Sequence, residues 1–173
     1  MRELGRDPHD DAEERPPLSL EVGLQVGDAF PAPDAVLPDQ HGERLPLREL
    51  WENGPALLVC VPAAFSTHCT AELGALAFEV DRFDAAGVQL AALSCDPVPA
   101  LRAWADDRVL PFPLLSDFWP HGDVARTLGA FDEELGVAQR LSLVVEDGRV
   151  RWLLRGEHGA PRSLAAHLAC LER

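Results

Sequence analysis

The sequence predicts an α/β fold: a mixed central sheet flanked by helices on both faces, with an N-terminal hairpin extension. Three observations carry this prediction. The stretches "PALLVCV" (55–61) and "GVQLAALS" (87–94) are continuous apolar runs of strand length, the pattern of strands buried on both faces. Each is followed by apolar residues at helical spacing. Later, "LSLVVEDGRVRWLL" reads as two strands around a turn at Asp147-Gly148, the clearest hairpin in the chain.

The elements follow in order. Residues 1–20 are polar, acidic and proline-containing, and they read as a disordered N-terminal tail ahead of a single domain spanning 21–173. "VGDAFPAPDAVLPDQHGERLPLREL" suggests a short hairpin turning at His41-Gly42, then one or two helical turns ending near Asn53-Gly54. After the first buried strand and a "PAAFS" loop, Cys69, Leu73, Leu76, Ala77, Val80 and Phe83 fall at helical spacing. "VPALRAWADDR" is a helix with Pro97 and Pro99 near its start. "FPLLSD" (112–117) is a short extended piece, and "HGDVARTLG" (121–129) is a helix stopped by Gly129. "SLAAHLACLER" closes the chain as an amphipathic helix. Strand–helix–strand–helix followed by a hairpin and a helix fits a thioredoxin-like architecture.

Composition narrows the function. A net charge of −14 speaks against nucleic acid and anionic membranes as partners, because phosphate binding needs a basic face. No run approaches the roughly 18 consecutive apolar residues of a membrane helix. The first residues have no apolar core of a secretory signal, so the cytoplasm is the expected location, and the four cysteines are expected to be reduced there. Cys60, Cys69, Cys95 and Cys170 form no Cys-x-x-Cys and no zinc spacing with the six histidines, so neither a metal nor a cofactor is expected.

Cys69 is the residue on which function turns. The loop after the first buried strand delivers it to the start of a helix, and reactive groups collect at the carboxyl ends of strands in open α/β sheets. A thiol in the first helical turn meets the positive end of the helix dipole and free backbone N–H groups, which favour thiolate. Ser66, three residues earlier, can place its hydroxyl on the same turn, and Pro62 removes a backbone donor and stiffens the loop. Spacing alone equally allows Cys69 to be a small core residue on the apolar stripe of the helix.

The string "PAAFSTHCTAEL" resembles the peroxiredoxin active-site motif Pro-x-x-x-Thr/Ser-x-x-Cys, here Pro62, Ser66 and Cys69, with a family-like Glu72 behind it. "FPLLSDFWPHGDVARTLGAF" and "GVAQRLSLVVEDGRVRW" resemble the later segments of that family in the same order. The likeness spans about residues 25 to 155 and is nearest to the one-cysteine, AhpE-like branch. It implies a thiol-dependent peroxidase reducing hydrogen peroxide or alkyl hydroperoxides, in which a Cys69 thiolate becomes a sulfenic acid. It implies further that Ser66 bonds the sulfur or the peroxide and that Pro62 shields the pocket. Arg140, in "AQRLSLVV", would stabilise the thiolate and polarise the peroxide. Glu72 either orients Arg140 or is an exposed helix carboxylate; Arg126 is the alternative arginine.

Ser66 stands where the family more often has Thr, and it lacks the methyl that stiffens the rotamer. Thr67 and His68 are unusual neighbours of the thiol, with His68 expected to face solvent, and Leu141 replaces a small residue. Among the other thiols, Cys60 lies inside an apolar strand, Cys95 at a strand end near the expected site, and Cys170 in the last helix. Gly74 closes the route that uses a resolving cysteine five residues after the peroxidatic one. Cys95, and after it Cys170, are the internal candidates to resolve a sulfenic acid, whereas the resemblance itself implies resolution by an external low-molecular-weight thiol or small redoxin, and a homodimer. Trp104, Phe118 and Trp119 are expected in the core or the dimer interface. A thioredoxin-type disulfide exchanger would need a cysteine at position 66. The remaining alternative is a redox sensor or a catalytically degenerate binding module of the same fold.

Overall fold

The computed structural model describes residues 23–157 and 159–172; the expected tail over 1–20 lies outside them. A five-stranded sheet has the order β5-β4-β3-β8-β9. Its strands are β3 (Ala56–Cys60), β4 (Gln89–Ser94), β5 (Leu114–Ser116), β8 (Leu141–Glu146) and β9 (Arg149–Arg155). β3 runs parallel to β4, and β4 to β5, whereas β8 pairs antiparallel with both β3 and β9, so the sheet is mixed. β1 (Val36–Pro38) and β2 (Arg44–Pro46) form the expected N-terminal hairpin, and Asp39 Oδ1 accepts the His41 and Glu43 backbone N–H groups across its turn.

Alternation along β3 divides the core into two layers. Ala56, Leu58 and Cys60 face one side, with Leu47 and Leu50 of a 3-10 helix (Leu47–Trp51) and Val124 and Ala125 of α4 (Asp123–Thr127). Leu57, Val59 and Val61 face the other. There they meet α1 (Thr67–Phe78), α2 (Val80–Ala85), α3 (Val98–Arg108) and the C-terminal segment formed by α5 (Leu164–Leu168) and a 3-10 turn (Ala169–Glu172). Leu73 and Leu76 of α1 are buried here; each such side chain contributes about 1.5–3 kcal/mol by leaving water. Helices thus cover both faces, as the apolar strand runs require.

Three details differ from the sequence reading. The helix expected to run unbroken through residue 83 is interrupted at Glu79, which leaves the helical region at φ −101°, ψ 12° and starts α2. The helix expected over 121–129 is only five residues long, since Gly122 precedes it in the left-handed region. A two-residue hairpin, β6 (Phe131–Asp132) with β7 (Val137–Ala138), has no alternation long enough to announce it. The β8–β9 hairpin turns at Asp147-Gly148, both with positive φ (51° and 72°), the geometry that the right-handed strand twist favours. Among the described residues, no helix is long and apolar enough to cross a membrane.

Candidate active site

The loop leaving β3 is pinned before it reaches α1. Asp96, just beyond β4, accepts the Ala64 backbone N–H at 2.8 Å and the Ser94 hydroxyl at 2.9 Å. Phe65 then takes a left-handed conformation (φ 60°), a strained turn that reverses the chain into the helix. Ser66 is the N-cap, its Oγ accepting the Cys69 backbone N–H at 3.3 Å. Cys69 is therefore the third helical residue, and its side chain points inward, fully enclosed. At the next residue, the Trp104 indole N–H donates to Thr70 Oγ1 at 3.2 Å and ties α1 to α3.

Beneath the thiol lies a cluster of buried charges. Arg140, immediately before β8, donates from Nη2 to Cys69 Sγ at 3.5 Å and from Nη1 to Glu72 Oε2 at 2.7 Å. Glu72, one turn after Cys69 on α1, is not a solvated carboxylate: its side chain is 1% exposed. Its other oxygen accepts from Arg162 Nε at 2.5 Å, and Arg162 Nη2 also donates to the Cys60 carbonyl at 2.8 Å. Two guanidinium ions share one carboxylate, leaving an excess positive charge that faces the sulfur. Burial lowers the Arg162 pKa from its ordinary value, with the adjacent Glu72 opposing the shift.

Pro62 and Arg140 line one wall of a cavity of about 180 Å³, together with Asp132, Gln139 and Gly156. Gly156 is needed for a close approach: a Cβ there would come within 2.9 Å of both Arg140 Cβ and Arg162 Cγ. Pro62, Ser66, Cys69, Glu72 and Arg140 thus converge on one end of the sheet.

Arg126 is excluded as the partner of the thiol: it pairs with Glu133 at 2.6 Å, lies over the Phe131 ring and is half exposed. His68 faces solvent, as expected. Trp104 is core, whereas Phe118 and Trp119 are exposed. The His121 ring lies between the Phe118 and Gly136 carbonyls, Nδ1 at 3.2 Å from the first and Nε2 at 2.7 Å from the second. Sequence reasoning missed Arg162, Asp96 and the close approach at Gly156. Only Asp96 carried a usable signal, a short polar residue at the carboxyl end of a buried strand.

The remaining thiols are poorly placed for attack. Cys60 and Cys95 lie in the opposite core layer from Cys69, and burial pushes each up to about 12. Cys170, pushed by burial to about 11, lines a separate cavity with Pro55 at the other end of β3. All four cysteines are free.

Known proteins resemble this chain in sequence and in fold. Residues 26–153 match the AhpC/TSA family model. The chain is 37% identical over 132 residues to alkyl hydroperoxide reductase E of Mycobacterium tuberculosis, covering 76% of this chain and 86% of that one. It is 28% identical over 137 residues to peroxiredoxin bcp1 of Schizosaccharomyces pombe, covering 79% and 68%. Among solved structures, peroxidoxin BcpB of M. tuberculosis superposes with a TM-score of 0.76 at 30% identity, over 86% of this chain and 94% of that one. Peroxiredoxin 6 of Arenicola marina, at 23% identity and a TM-score of 0.78 over 87% and 73%, shares the fold. These relatives do not favour a non-enzymatic sensor or binding module. The chain belongs to the AhpC/TSA family, in its AhpE-like branch of the peroxiredoxins, and is a thiol-dependent peroxidase of thioredoxin-like fold.

Proposed function

We propose that Cys69 is the peroxidatic thiol, with Arg140, Ser66, Pro62 and Glu72 completing the site. The observation that carries this reading is the Arg140 Nη2 to Cys69 Sγ contact inside a buried cluster whose charge a thiolate balances. Negative charge on the sulfur is stabilised by the guanidinium and by the first turn of α1.

The thiolate attacks the near oxygen of a hydroperoxide. The S–O bond forms as the O–O bond breaks, the electron pair moves to the distal oxygen, and that oxygen takes a proton and leaves as water or an alcohol. Sulfur is oxidised to the sulfenic acid and the peroxide is reduced. Arg140 meets charge developing on the departing oxygen; Ser66 orients the peroxide, Pro62 excludes water, and Glu72 holds Arg140 in place.

The placement of Cys60 and Cys95 in the other core layer, and of Cys170 beside Pro55 at the far end of β3, supports resolution by an external thiol, a low-molecular-weight compound or a small redoxin. That thiol condenses with the sulfenic acid, releasing water and leaving a mixed disulfide, which a second thiol reduces. A cytoplasmic setting would keep these thiols reduced. Exposed Phe118 and Trp119 support a homodimer. Residues 21–173 form the working domain.

Stopped-flow oxidation of the reduced protein by micromolar hydrogen peroxide, followed by tryptophan fluorescence, tests the proposal. Oxidation is expected to be fast, lost in Cys69→Ser and kept in Cys95→Ser and Cys170→Ser. A rate no better than that of free cysteine sinks the assignment of Cys69.

A further inference from the structure

His167, on α5, takes no part in the chemistry above, yet its side chain is wholly buried against the charged cluster. Its Nδ1 lies 3.1 Å from the Ser163 carbonyl, which can only accept, so Nδ1 carries the proton. Nε2 is then the acceptor, and the Ser142 hydroxyl of β8 donates to it at 2.8 Å. The same Nε2 is 3.7 Å from Glu72 Oε1, the oxygen that accepts from Arg162. The Trp152 ring of β9 flanks the imidazole, with centroids 6.5 Å apart. Burial and the nearby Arg162 charge hold His167 down to about 4, so the ring is neutral at physiological pH.

A neutral ring in this tautomer does two things. With its one Nε2 lone pair taken by the Ser142 hydroxyl, it offers Glu72 no hydrogen, so it fills the space beside the carboxylate without competing with the two guanidinium ions for its charge. Through Ser142, it also fixes β8 two residues beyond Arg140, while its own helix follows directly on Arg162. Both arginines are thereby referenced to one imidazole.

We propose that His167 is a positioning residue of the peroxidatic site: bonded to Ser142, it docks α5 on β8 so that Glu72 holds Arg140 against Cys69. This rests on the reading of Cys69 and Arg140 given above.

The test is the pH dependence of the second-order rate with hydrogen peroxide in the full chain. His167→Phe fills the ring space without hydrogen bonds, His167→Gln restores a donor and an acceptor, and Ser142→Ala removes the bridge from the other side. His167→Phe is expected to slow oxidation about tenfold at pH 7 and to move the rising limb of the profile to higher pH. Most of the rate should return in His167→Gln, and Ser142→Ala should move the profile in the same direction as His167→Phe.

A wild-type rate and profile in folded His167→Phe overturns the role; if that variant does not fold, the same result in Ser142→Ala overturns it. Equal losses in the Phe and Gln variants, with the profile unmoved and only the thermal midpoint lowered, also overturn it. Cys69→Ser separates the two levels. Peroxide consumption that survives there removes the reading of the site itself. Consumption that is lost there but unchanged in His167→Phe removes the positioning role alone.

Discussion

Replacing Glu72 with Gln keeps the size of the side chain and removes its charge. In the native cluster one carboxylate serves two guanidinium ions whose side chains are 5% and 2% exposed. Without it, both cations stay buried with no full counter-charge, and an amide N–H2 faces one of them. Breaking a buried ion pair from one side costs about 3–5 kcal/mol. In a chain of this length each kcal/mol lowers the midpoint by about 2–4 °C, so a fall of roughly 6–20 °C is expected. Urea unfolding followed through Trp104 and Trp152 measures the free energy directly. The cluster also predicts coupling to the sulfur. With Glu72 gone, a thiolate at position 69 is the remaining negative charge beside the arginines, so adding Cys69→Ser should destabilise Glu72→Gln by about 1 kcal/mol more than it destabilises the native chain. A loss below about 1 kcal/mol for Glu72→Gln, together with strict additivity, would show that water already screens these charges and would refute the reasoning.

Other expectations concern neighbouring groups. Gly156→Ala should slow peroxide reduction at least tenfold while the far-ultraviolet circular dichroism stays native, because the new methyl displaces Arg140 and Arg162 together. In the unfolded chain His167 titrates near 6.5, but in the fold it stays neutral down to about 4. As pH falls through that window the unfolded state binds a proton that the folded state does not, so stability should drop by on the order of 3 kcal/mol. Urea titrations should show this part of the loss missing in His167→Gln. After substoichiometric peroxide, dimedone should label Cys69 in the native protein, with Cys60, Cys95 and Cys170 unlabelled by mass spectrometry; dimedone found on Cys95 would instead identify a second oxidisable thiol.

Much of the sheet was legible because its central strands are short, continuous apolar runs, and Asp147-Gly148 supplies the positive φ angles a tight hairpin needs. The break at Glu79 was not, since Leu76, Val80 and Phe83 keep one helical periodicity across it. The motif around Cys69 made Pro62, Ser66 and Glu72 readable from sequence proximity, and the segment before β8 added Arg140. Arg162 sits in "GAPRSL", where neither periodicity nor motif marks it. Its burial is created by a bond spanning 90 positions, and only the folded chain contains that information. Glu72 shows the same limit from the other side: position on α1 allowed both a surface carboxylate and a buried one, and the choice was made by two arginines brought in from elsewhere.

Arg162 and His167 follow every strand of the central sheet in chain order. A nascent polypeptide that has completed β9 but not α5 already contains Cys69, Glu72 and Arg140, yet Glu72 still lacks its second guanidinium and its imidazole neighbour. The centre is assembled only once α5 has joined the sheet. Copies lacking α5 would then carry an unpoised sulfur, and oxidant reactivity becomes a sensitive report that the whole domain has closed.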